Sequence, residues 1–88
     1  MKPAMSAPMA ALRETYLAAG WTPDPVNSAR LERRHIGDAT VDEQVTIVSE
    51  YRVDYQAKES GWFPLCWAHN ISARETLGPV PWYVMHAK

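Results

Sequence analysis

Between residues 45 and 57 apolar and polar side chains alternate along the chain. Val45, Ile47, Tyr51, Val53 and Tyr55 take odd positions, and Thr46, Glu50, Arg52, Asp54 and Gln56 take even ones. A period of two marks a β-strand with one face buried and the other in water. The β-branched and aromatic content agrees with that reading. At about 3.3 Å per residue the segment spans roughly 40 Å as one strand. Ser49 falls on the apolar side and Val48 on the polar side, which predicts a bend or bulge near Ser49.

A different period precedes it. Met5, Met9, Leu12, Tyr16 and Ala19 recur at steps of three and four, the stripe of an amphipathic helix. Ser6 is its expected N-cap, with Pro8 in the first turn where a missing N–H costs nothing. Gly20 stands where a left-handed C-terminal residue is wanted, and Trp21 is placed to fold back onto Tyr16. The helix is expected on the odd face of the long strand. Thr22-Pro-Asp-Pro25 reads as a stiff connector.

Residues 26–36 admit a helix or, over Arg30–Ile36, a strand. The strand is preferred, because Gly37-Asp38 suits a tight hairpin and the apolar residues make no helical face. Lys58-Glu-Ser-Gly61 reads as a loop. In the strand that follows, 62–71, Phe63, Leu65, Trp67, His69 and Ile71 are expected on one face. Ser72-Ala-Arg-Glu75 has capping-box spacing and predicts a helical turn over 73–77. Trp82, Val84 and His86 then alternate with Tyr83 and Met85 as a last strand. The pattern gives an α+β fold: an N-terminal helix packed on one face of a three- to four-stranded antiparallel sheet, with a short helical turn before the last strand. One small domain over residues 1–88 is expected, with residues 1–5 disordered.

Composition narrows the function more than the fold. Of 88 residues 47% are hydrophobic and 22% charged, so the chain can bury a core. A net charge of −1 opposes a strongly basic nucleic-acid binder. The one cysteine, Cys66, forms no internal disulfide, which suits a reducing cytoplasm. Neither a signal peptide nor a membrane-spanning run is legible.

Four groups of residues are candidates for chemistry. Arg30, Arg33, Arg34 and His35 cluster as a basic patch, which with Arg52 and nearby aromatic rings suits phosphates. The acidic segment that follows, Asp38 to Glu59, holds six acids and two bases, and its neutralising of these arginines across the hairpin is the preferred reading. Cys66 and His69, with His35 and His86, contain metal-ligating groups, but on a strand positions 66 and 69 face opposite sides, and no metal or other cofactor is assigned. Glu50 or Glu59, Arg74 and His86 follow the base–arginine–acid order of small ribonucleases, without any local motif to support it. Trp62 and Trp82 stand at expected strand starts, and exposed Trp and Arg are enriched at protein interfaces.

The reading that results is a small non-catalytic module that binds another protein, an accessory or inhibitor of phage or mobile-element type. Its expected binding residues are Arg30, Arg33, Arg34, Glu50, Arg52, Asp54, Trp62 and Trp82. Nucleic-acid binding through the arginines and a ribonuclease-like hydrolase are the alternatives. A homodimer through an unpaired strand edge is a further expectation. The polar even face, with Glu50, Arg52, Asp54 and Gln56, has no helix left to cover it and is the first place to look for a partner.

Overall fold

A computed structural model describes residues 5–36, 40–59, 64–81 and Val84. Helix α1 spans Ala7–Ala18. Five strands follow: β1 (Thr22–Pro23), β2 (Arg30–Ile36), β3 (Thr40–Ile47), β4 (Arg52–Glu59) and β5 (Pro64–Ser72). A short helix, α2 (Arg74–Leu77), comes after β5. All five strands lie in one antiparallel sheet in chain order.

The fold is α+β as expected, but the sheet has five strands rather than three or four. Two readings account for the difference. Thr22-Pro23 is a short edge strand paired with Leu31 and Glu32, where a stiff connector is expected. The alternating segment 45–57 is not one long strand but the end of β3, a turn at residues 48–51, and most of β4. The turn is closed by Val48 and Ser49 N–H groups donating to the Arg52 carbonyl, at 3.0 and 3.2 Å. Its register sets Ile47 opposite Val53 and Val45 opposite Tyr55, odd opposite odd. The period of two therefore runs through the turn unbroken, and a pattern alone cannot reveal it. Tyr51, at the turn, is 71% exposed rather than part of the buried face.

The start and end of α1 follow from its sequence. The Ser6 side chain accepts from the Met9 N–H at 3.4 Å. At the other end Gly20 adopts φ +98°, open to glycine but strained for other residues. Gly20 and Trp21 N–H groups reach back to the Leu17 and Tyr16 carbonyls, at 3.1 and 3.0 Å. This paired capping turn swings Trp21 onto Tyr16, ring edge to ring face at 5.2 Å. The buried side of α1 is carried by Leu12 and Tyr16, with Met9 and Leu17 packed beside them, while Ala19 is exposed. Beyond β1, Asn27 and Val26 N–H groups bond the Asp24 carboxylate and hold its pKa below the usual value.

The core lies between the odd face of the sheet and the two helices. Leu31, Val41, Val45, Ile47, Val53, Tyr55 and Ala57 meet Leu12, Tyr16, Trp21, Ala73 and Val84 there. The expected capping box is not formed. Ser72 belongs to β5, opposite Arg52, and α2 is capped at Ala73 without a side-chain bond. Among the described residues the even face carries neither helix. The Gly37-Asp38 turn, Trp62, Trp82 and His86 lie outside the described residues. Of the expected last strand only Val84 is described, and its N–H bonds the Pro81 carbonyl as in a turn.

Candidate binding surface on the open sheet face

Strand register places the polar side chains of the open face in rows. Arg34, Asp42 and Lys58 form one row; Glu32, Gln44, Gln56 and Trp67 the next; Arg30, Thr46 and Asp54 the third. Trp67 stands on this face because of a bulge in β5. Tyr55 lies opposite Ala68 and Val53 opposite Ile71, so His69 and Asn70 share the space opposite Asp54. Asn70 takes φ +53°, a conformation that asparagine tolerates better than most residues. The Asp54 carboxylate accepts the Asn70 N–H at 2.8 Å.

The bulge reverses the alternation of β5. Cys66, Ala68 and Ile71 pack against the core, while Trp67 lies 55% exposed beside Gln56. The expectation that Trp67 and Ile71 share a face is thus corrected. Asn70 is the local signal of the bulge, and simple alternation, which takes no account of it, puts Trp67 inside. The Trp67 indole N–H points at His69 Nε2, with Nδ1 of the same ring 3.2 Å away, and the two rings are tilted at 52°. His69 Nδ1 lies 3.8 Å from Asp54. A hollow of about 180 Å³ opens among Arg30, Gln44, Thr46, Asp54, Gln56 and Trp67.

The arginine cluster is divided by the same alternation. Arg34 faces the open side and grips Asp42 directly across the strands, Nε to Oδ1 at 2.7 Å. That bond and the Asp42 charge hold its guanidinium protonated. Arg30 is on the same side, its Nε 3.5 Å from Thr46 Oγ1. Arg33 points the other way. It holds Glu43 with two bonds, at 2.7 and 3.1 Å, and donates to the Gly78 carbonyl at 2.7 Å. Its guanidinium carbon sits 4.4 Å over the Trp21 ring. The Tyr55 hydroxyl donates to Glu43 Oε2 at 2.6 Å, the oxygen that also accepts from Arg33 Nη2. Glu43 is fully enclosed, and Arg33 is committed to holding it.

Glu43 is the residue that pattern reading misses. It occupies an odd position between Val41 and Val45, so its place on the buried face was legible once the alternation was extended back past Val45. A carboxylate at a core position must find a cation, and Arg33 lies opposite it.

Of the remaining candidates, Arg52 lies on the open face opposite Ser72, and Glu50 is exposed in the β3–β4 turn. Arg74, in α2, follows the end of β5 that pairs with Arg52, whereas Glu59 ends β4 at the far side of the sheet. Cys66 and His69 lie on opposite faces, and among the described residues no three His, Cys, Asp or Glu side chains gather to hold a metal ion. Burial raises the Cys66 thiol pKa. Iodoacetamide at mildly alkaline pH should therefore label Cys66 more slowly in the folded chain than in urea. Equal rates would mean that the thiol is open to solvent.

No protein-family model, curated protein or solved structure matches this chain. Among the described residues no helix is long and apolar enough to cross a membrane.

Proposed function

We propose that this chain is a non-catalytic binding module and that a partner protein docks on the open face of its sheet. The observation that carries the reading is Trp67. A bulge turns it out of the core onto a flat polar surface, where it is more than half exposed. Interface hot spots are enriched in tryptophan and arginine. Arg30, Gln44, Gln56 and Asp54 surround it with donors and acceptors on a rigid sheet. Occlusion of the partner's own surface is the simplest way for so small a chain to act as an accessory or inhibitor.

The charges favour a protein over nucleic acid. Arg30, Arg34, Arg52 and Lys58 share the face with Glu32, Asp42 and Asp54, and Arg34 is already paired. Phosphates would meet both signs. Trp67 beside Arg30 would still stack on a base, so single-stranded nucleic acid is the second reading.

Affinity capture from the source cell tests both. Wild-type chain should retain one stoichiometric protein, and Trp67→Ala should weaken that complex by at least about 30-fold, the effect of a hot spot worth 2 kcal/mol. The thermal midpoint should move little, because Trp67 lies outside the core. Retention of the same protein by Trp67→Ala and by Arg30→Glu would sink the reading. Binding to a labelled oligonucleotide that falls steeply with salt would favour the second reading instead.

A further inference from the structure

The two edges of the sheet are unequal. At one edge β1 is two residues long and contains Pro23. It covers β2 only at Leu31 and Glu32, and the uncovered part of β2 carries Arg33 and Arg34. Shortness, proline and charge are the usual guards against strand pairing between molecules. At the other edge β5 is nine residues long, and among the described residues its outer side has no partner strand. Pro64 begins it, the register slips by one residue between Pro64 and Cys66, and the bulge at His69–Asn70 interrupts it late. Between them, and in the whole strand, there is no Lys, Arg, Asp or Glu. Strands β2, β3 and β4 each carry at least two.

We propose that β5 pairs antiparallel with β5 of a second copy of this chain, giving a two-fold dimer with one continuous sheet. Charge selects this occupant. Around a two-fold axis a strand meets itself, so every ionised side chain is brought towards its own like. β2 would set arginine near arginine; β5 has no Lys, Arg, Asp or Glu to oppose. Pairing centred on Cys66–Ala68, the part of β5 in regular register between its two irregularities, sets Trp67 close to the axis. The axis stands perpendicular to the sheet, so both copies keep their helices on one side and their open faces on the other. Partner binding is not required for this dimer, and purified chain alone tests it.

Sedimentation of the purified protein should show reversible dimerisation with a dissociation constant of roughly 10–100 µM, the range of a small interface. Hydrogen exchange at low and high concentration should show β5 amides gaining protection on dimerisation, with those of β1 unchanged. Trp67→Lys and Trp67→Glu should each weaken the dimer at least ~10-fold alone, and a one-to-one mixture of the two should recover it, because unlike charges then meet. A wild-type chain that stays monomeric at about 500 µM would overturn the proposal. So would β5 protection that is independent of concentration, or a dimer that survives Trp67→Lys. The exchange experiment needs no variant, so a folding defect in either mutant leaves it decisive.

Discussion

Arg33→Ala is expected to lower the unfolding free energy by about 3–5 kcal/mol, the cost of leaving one member of a buried ion pair alone. Glu43 has no exposed side-chain surface, and Arg33 supplies two of its hydrogen bonds. Without the arginine the Tyr55 hydroxyl is the hydrogen-bond donor left to that carboxylate among the described residues. The same substitution removes the cation over Trp21 and the bond to Gly78, which ties the chain after α2 to β2. Since domains are stable by only about 5–15 kcal/mol, this is a large share of the total and should lower the urea midpoint clearly. Glu43→Gln should cost less. Arg33 is 19% exposed and keeps the Gly78 carbonyl and the Trp21 face, so its charge is not stranded. Urea denaturation of both variants checks the order. An Arg33→Ala protein as stable as wild type would show that the pair contributes nothing.

Tyr16→Ala is expected to cost a further class of energy, about 3–5 kcal/mol from a cavity in the core. Tyr16 has no exposure, packs edge-on against Trp21, and is with Tyr55 the largest of the fully buried side chains among the described residues. Its hydroxyl shares a 2.6 Å bond with Thr76 and reaches the Ala73 carbonyl at 3.3 Å, so one side chain joins α1 to α2. Burial raises its pKa, which keeps the phenol protonated across the physiological range. Tyr16→Phe separates the two contributions. It keeps the ring, removes the bonds, and should cost about 1 kcal/mol. Thermal denaturation should rank the pair accordingly, and equal losses would mean that the hydroxyl rather than the ring holds the helices together.

Local features of the fold were legible because their causes are local. The Ser6 cap, the glycine at the end of α1 and the return of Trp21 onto Tyr16 depend on residues a few positions apart. The buried parity of Val45, Ile47, Val53 and Tyr55 was legible for the same reason. What could not be read depends on pairing across strands. The turn at 48–51 preserves parity and so hides itself. The Ser72 capping box lost to pairing with Arg52, since the strand had a partner to offer and the helix did not. The arginine cluster looked like one patch in sequence, whereas alternation sends Arg33 to the core and Arg30 and Arg34 to the surface.

The Asn70 bulge decides what this protein shows to its surroundings. In an uninterrupted β5 in register at Ile71, Trp67 would lie with the core and Cys66 and Ala68 would line the wet face. One residue of slack exchanges these two sets without altering a side chain. Sequences related by a single insertion or deletion at 69–70 would therefore keep the same hydrophobic content and yet differ in whether a tryptophan is hidden or on display.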